Sequence, residues 1–244
     1  MNRIILFAVF ILCSTGIFAQ FAVVNDKDGY VIVRSSPKIE QDNIIDTLHN
    51  GRFIYVENMK NKSAENWIGI VVKDFYYGYI DANNIKQISE YQHIEYISEN
   101  ENKLTFRDSN ISVEIKIREF DKSKHKIKYY KKNVHLIDEK IFFGTDGNLP
   151  KYEYEYINIT MNETTYFLPN EATENLYEPN FNHFISNSEY ILFVSPFYDK
   201  ENDILYIQSM NGDGAGGYTV VWKIEKGIYK ERMVRSFYGP VIQF

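Results

Sequence analysis

The sequence contains a single cysteine, Cys13, among its 244 residues. This cysteine directly follows an apolar run over residues 4–12, which Arg3 precedes, and Ala19 supplies a small residue at a cleavage point. The pattern predicts a secretory signal peptide over residues 1–19, so we expect an exported chain, periplasmic or extracellular. The mature chain would then hold no thiol and no disulfide. Lipid attachment at the cysteine is an alternative, which the large residue before it disfavours.

Long apolar runs are also absent. The run near the amino terminus has nine residues, whereas a helix that crosses a bilayer needs about 20. No later stretch of the sequence is longer and equally apolar, so the sequence predicts no membrane span.

Recognisable catalytic motifs are absent as well. A cysteine peptidase would need a nucleophile that the mature chain lacks, and Ser195, followed by proline, has no glycine-flanked nucleophile elbow. The histidines show no metal-ligand spacing; they are His49, His93, His125, His135 and His183. We therefore predict a non-enzymatic protein with no catalytic residue, no metal site and no cofactor. A glycosidase stays open as an alternative, because its two carboxylates can come from distant positions.

Basic residues are outnumbered, since 27 Lys and Arg face 33 Asp and Glu and the formal net charge is -6. That balance argues against nucleic acid as a partner. Aromatic residues are plentiful, with 20 Tyr and 17 Phe. Their preference for strands predicts an all-β fold stabilised by packed aromatic and aliphatic surface.

Residues 21–88 have the alternation and turn signals of a small β-barrel. Asn50-Gly51 suits a tight turn, and Pro37 ends the first long strand because proline lacks an amide donor. The predicted strands are residues 29–37, 44–48, 50–56, 66–70 and 78–81. With its Val33-Arg34-Ser35-Ser36-Pro37 and Gly78-Tyr79-Ile80 motifs, this segment resembles the bacterial Src-homology-3-like domain. The resemblance implies a closed barrel, with peptidoglycan stem peptides or cross-bridges as ligands.

After this barrel, residues 89–102 are predicted as a linker or short connecting helix, because Glu, Asn, Ser and Gln dominate them. Residues 103–244 are predicted as a larger antiparallel β-domain. Its clearest strand alternates Ile111, Val113, Ile115 and Ile117 with polar residues. Two hairpins are expected, one joining residues 190–198 to 204–210 and one joining 218–224 to 228–234.

Two glycine-bearing segments lie in this second half, Gly144 to Pro150 and Asn211 to Trp222. Together they resemble a group of uncharacterised secreted bacterial proteins, a resemblance that implies no activity. Asn211 and Asp213 alternate like calcium ligands, but the glycines that follow offer only backbone carbonyls. A phosphate site would need a helix after the glycines, whereas a β-run begins at Tyr218. We interpret the second segment as a wide turn between two strands.

Exposed aromatic residues of the barrel are the candidate ligand-binding residues. They are Tyr30, Phe75, Tyr76 and Tyr77. Tyr76 and Tyr77 precede a glycine at a turn, which favours exposure. We expect Trp67 and Tyr79, by contrast, to be core residues.

A lysine-rich ridge at Lys124, Lys126 and Lys128 is interpreted as a solvated strand face or a guarded edge. Contact with an anionic envelope polymer is the alternative.

Three classes of function remain. The leading hypothesis is a secreted or periplasmic binding protein that recognises cell-wall peptide or glycan, or another envelope polymer, through its barrel. An inhibitor or immunity protein with a protein partner is the first alternative. An unrecognised carbohydrate-active enzyme is the second.

Overall fold

The computed structural model describes residues 21–57, 66–73, 76–100, 102–181, 183–185, 189–191, 193–212, 214–239 and 241–244. Within these ranges the chain forms antiparallel sheets, and its helical segments are 3-10 turns of three residues. This confirms the predicted all-β class. No helix in the described ranges has the length and apolarity that crossing a membrane requires. The predicted signal peptide lies outside the described residues.

A seven-stranded N-terminal sheet comes first. Its strands are β1 (Phe21–Val24), β2 (Tyr30–Arg34), β3 (Ile44–His49), β4 (Phe53–Val56), β5 (Trp67–Lys73), β6 (Tyr76–Asp81) and β7 (Ile85–Gln87). They are ordered β3-β2-β6-β5-β4-β1-β7. The five strands predicted from alternation correspond to β2 to β6, although β2 ends at Arg34 and β4 begins at Phe53. The resemblance to the Src-homology-3-like domain and the boundary at residue 88 stay predictions.

The next strands build a five-stranded sheet, ordered β15-β14-β11-β10-β9, and a separate hairpin of β12 and β13. The strands are β8 (Gln92–His93), β9 (Tyr96–Asn100), β10 (Lys103–Asp108), β11 (Ile111–Glu119), β12 (Ile127–Tyr130), β13 (Asn133–Ile137), β14 (Tyr152–Met161) and β15 (Thr164–Phe167). The predicted alternation of β11 is confirmed, because its four aliphatic residues are buried and their neighbours are not.

The last strands build a six-stranded sheet, ordered β22-β21-β20-β19-β18-β8, and the hairpin β16-β17. The strands are β16 (His183–Ile185), β17 (Glu189–Ile191), β18 (Val194–Asp199), β19 (Ile204–Asn211), β20 (Tyr218–Glu225), β21 (Ile228–Ser236) and β22 (Val241–Gln243). Pairing of β18 with β19 and of β20 with β21 confirms the two predicted hairpins. The first is shorter than predicted, because residues 190–191 belong to β17 and pair with β16.

The segment over residues 89–102, predicted as a linker or short helix, carries two strands in the structure. His93 in β8 pairs with Phe197, so the segment adds an edge strand to the six-stranded sheet. It then crosses to the five-stranded sheet through Ile94, which is fully buried. Three of its apolar residues anchor it, because Ile94 and Tyr96 pack in the core of the five-stranded sheet and Tyr91 packs against the core of the N-terminal sheet. Ile97, by contrast, is 53% exposed.

Side chains alternate between the two faces of each strand, and the buried faces form three layers of core. One face of β19 and β20, with Leu205 and Trp222, packs on the five-stranded sheet. The opposite face, with Tyr206 and Val221, packs on Phe53 and other residues of the N-terminal sheet. The N-terminal sheet encloses a third cluster with its other face. The six-stranded sheet is therefore buried on both faces, and the N-terminal sheet shares one core with it.

Candidate functional site

A recess of about 270 Å³ on the N-terminal sheet has two aromatic residues in its lining. Tyr30, at the start of β2, is 45% exposed. Trp67, at the start of β5, is half-buried and pairs across the hairpin with Asp81. Ile39, 82% exposed, contributes an aliphatic side chain from the loop after β2. The recess, named here the Tyr30 recess, thus offers apolar surface to solvent.

Three carboxylates line the Tyr30 recess beside these rings: Asp26, Asp28 and Asp81. Asp26 accepts a hydrogen bond from the Asp28 backbone N–H at 2.7 Å, which shapes the turn before β2. Asp81 accepts one from the Asn83 backbone N–H at 2.9 Å and caps a 3-10 turn. Each of these bonds uses one oxygen of its carboxylate, so acceptor sites remain for a bound donor.

The loop over residues 35–43 is held against the recess by a buried polar pair. Arg34 donates from Nη1 to the Glu40 carbonyl at 2.6 Å and to Asn43 Oδ1 at 2.8 Å. Asn43 in turn donates to Ser36 Oγ and to the Lys38 carbonyl, both at 2.9 Å. The arginine of the Val-Arg-Ser-Ser-Pro motif therefore positions the loop, and with it the recess wall.

The other predicted ligand residues lie elsewhere. Tyr76 and Tyr77 are exposed, as predicted, but they begin β6, whereas the recess is at its other end. The Tyr76 hydroxyl donates to the Ile45 carbonyl at 2.9 Å. Phe75 is outside the described residues. The structure thus does not bring Tyr30 together with the two β6 tyrosines.

The expectation that Trp67 and Tyr79 belong to the core is wrong. Gly78 and Ile80 take the inward positions of β6, so the alternation leaves Tyr79 outward and 37% exposed. Trp67 lies in the recess wall. Sequence reasoning also missed the three recess carboxylates. In the β5–β6 hairpin Trp67 pairs with Asp81, but the register shifts between Val71 and Lys73, so counting residues outward from the turn would not have given this pair.

The two glycine-bearing segments pack against each other, backbone to backbone. The Gly144 N–H donates to the Gly216 carbonyl at 2.9 Å. A Cβ on Gly216 would lie 2.3 Å from the Thr145 carbonyl carbon, so only glycine fits there. Asp213, considered as a calcium ligand, is outside the described residues. Across those residues, no group of three or more His, Cys, Asp or Glu side chains could hold a metal ion.

These observations define an all-β protein with a small aromatic and acidic recess on its N-terminal sheet. The chain has no significant match among protein families, curated proteins or solved structures.

Proposed function

We propose that the protein is an exported, non-enzymatic binding protein whose Tyr30 recess holds a cell-wall peptide. The supporting observation is that two aromatic rings and three carboxylates line one exposed recess. Aromatic surface provides contact area at low entropic cost, and fixed polar groups orient a ligand.

A peptide with an amine-bearing side chain suits this lining. Its aliphatic stem would lie on Tyr30 and Trp67, and its ammonium group would donate to the carboxylates of Asp28 and Asp81. A stem peptide that carries a diamino acid has this chemistry. An acidic ligand would instead meet three carboxylates against the single guanidinium of Arg34, which already donates to Glu40 and Asn43.

Sedimentation of the protein with purified sacculi, and titration with a soluble stem peptide, test the proposal. We expect Tyr30→Ala to weaken binding by more than tenfold, since loss of an exposed aromatic anchor costs about 2 kcal/mol or more. Asp28→Asn should weaken binding of the amine-bearing peptide more than that of an analogue whose amine is acetylated.

The double variant Tyr76→Ala with Tyr77→Ala is the matched control, because it removes exposed tyrosines from the far end of β6. It should bind as the parent does, with a melting temperature lowered only by the loss of the exposed Tyr76–Ile45 hydrogen bond. If this control loses binding and Tyr30→Ala keeps it, the binding site lies at the other end of β6. Equal binding by all variants would refute a site on this sheet.

A further inference from the structure

A second pocket, of about 230 Å³, lies in the other half of the protein, in residues that sequence analysis did not select. The ends of β11 and β14 form one side of it, the segments flanking β12 and β13 form another, and residues 170–177 form the third. Its described lining shares no residue with that of the Tyr30 recess. We name it the His125 pocket.

A chain of ionic contacts crosses the His125 pocket. Asp138 Oδ2 lies 2.6 Å from His125 Nδ1, and Glu153 Oε2 lies 3.0 Å from His125 Nε2. The other oxygen of Glu153, Oε1, accepts from Arg118 Nε at 2.7 Å. Glu153 is only 6% exposed, so this buried carboxylate depends on Arg118 for charge compensation and on both partners for hydrogen bonds.

Both ring nitrogens of His125 therefore face carboxylate oxygens. A neutral imidazole has one N–H and could donate to only one of them, whereas the doubly protonated ring donates to both. A further pair, Lys140 Nζ and Glu174 Oε2 at 2.5 Å, lies in the same lining.

The basic and acidic side chains of the pocket are thus paired with one another. The basic residues are Arg118, His125 and Lys140, and the acidic residues are Asp138, Glu153 and Glu174. A ligand with a net charge would compete with one of these pairs. A neutral ligand can use their remaining donors and acceptors without separating any pair.

Several contacts hold these groups in place before a ligand arrives. The His125 ring stacks on Phe120 with centroids 4.6 Å apart. Asn175 accepts from the buried Arg232 at 2.8 Å and donates to the Ile141 carbonyl at 2.8 Å. Side chains that are ordered in advance lose less entropy when a ligand binds.

The remaining hydrogen-bond capacity suits hydroxyl groups, each of which both donates and accepts. Arg118 uses Nε and keeps its two terminal amino groups, and the lining adds the side chains of Asn170 and Thr173. The volume is below the roughly 300–1,000 Å³ of pockets for drug-sized ligands. We propose that the His125 pocket binds a single neutral saccharide unit.

Binding without hydrolysis follows from the same pairing. A glycosidase needs one carboxylic acid that is protonated and can donate to the leaving group. Burial raises the pKa of the Asp138 carboxyl, but the hydrogen bonds from His125 and a backbone N–H outweigh it and lower that pKa. Glu153 and Glu174 already form ion pairs with Arg118 and Lys140. The pocket is therefore equipped to hold a saccharide and not to cleave it.

The test is an NMR titration of the ¹⁵N-labelled protein with N-acetylglucosamine, glucose and galactose in turn. We expect at least one of these sugars to shift backbone amide signals of residues 137–140 and 170–177. Asn170→Ala should weaken that binding roughly threefold to tenfold, as expected for one lost hydrogen bond. Asn83→Ala, which changes an exposed asparagine in another 3-10 turn, is the matched control and should leave it unchanged.

If none of the three sugars shifts these amide signals, the proposal is overturned. It is also overturned if the shifts occur only around the Tyr30 recess, or if the parent protein hydrolyses a nitrophenyl glycoside. The proposal does not rest on the peptide-binding function. Tyr30→Ala should therefore leave the saccharide-induced shifts unchanged, whatever its effect on binding to sacculi.

Discussion

Replacing Phe53 by alanine tests whether the two halves of the chain unfold together. Phe53 is fully buried between the N-terminal sheet and the six-stranded sheet, and its ring centroid lies 5.6 Å from that of Tyr206. The ammonium group of Lys223 lies 5.8 Å from the same ring. The ring thus contacts the second half directly, and its loss leaves a cavity at the boundary between the sheets.

Truncation of a buried phenylalanine to alanine costs about 3–5 kcal/mol. Folded domains have a free energy of unfolding of about 5–15 kcal/mol, so the variant loses a large part of it. With a urea slope of roughly 2–3 kcal/mol/M, the unfolding midpoint should fall by about 1–2 M. Because Phe53 lies in the core shared by the N-terminal sheet and the six-stranded sheet, we expect the unfolding midpoint to fall for the whole chain and not for the N-terminal sheet alone.

The two tryptophans make the assay specific. In a Trp67→Phe background, Trp222 is the only tryptophan, and it is buried on the far face of the six-stranded sheet. Its fluorescence should report the lower midpoint of Phe53→Ala, in coincidence with far-UV circular dichroism. Tyr77→Ala, which removes an exposed ring from the same N-terminal sheet, is the control and should not move the midpoint. An unchanged Trp222 midpoint beside a separate, earlier dichroism transition would refute the reasoning and favour an independent N-terminal fold.

Two further predictions concern single residues in the second half. Gly216→Ala should lower the free energy of unfolding in urea by about 1–3 kcal/mol, because its Cβ would overlap the Thr145 backbone. Gly69→Ala, which has open space around the new atom, is the control and should lower it less. Equal losses in the two variants would contradict the argument. Burial alone would raise the pKa of the Asp138 carboxyl, but the hydrogen bonds from His125 and a backbone N–H outweigh it and lower that pKa. A lowered pKa stabilises the fold above the unfolded-state pKa and loses that effect as pH falls through the folded-state value. Asp138→Asn should therefore have a lower urea midpoint than the parent at neutral pH, and the difference between the two midpoints should narrow in acid. A difference that stays constant with pH would argue against a contribution from the Asp138 pKa.

Much of the secondary structure was predictable from local pattern. The strict alternation in β11 requires one apolar face whatever lies against it, and the turns between β18 and β19 and between β20 and β21 have polar or glycine residues that end strands. These signals are local because strand pairing across a short turn involves neighbours in sequence. The all-β class and the exposure of Tyr76 and Tyr77 followed from the same reasoning.

The sites depended on contacts between residues far apart in sequence. His125 meets Asp138 and Glu153, which are 13 and 28 residues away, only because the β12–β13 hairpin folds back beside β14. Trp67 joins Tyr30 only through the order of strands in the N-terminal sheet. Alternation along one strand determines which side chains share a face, but not which other strand that face meets. The strands were therefore determined by the sequence locally, whereas the recess, the pocket and the shared core were decided by tertiary packing.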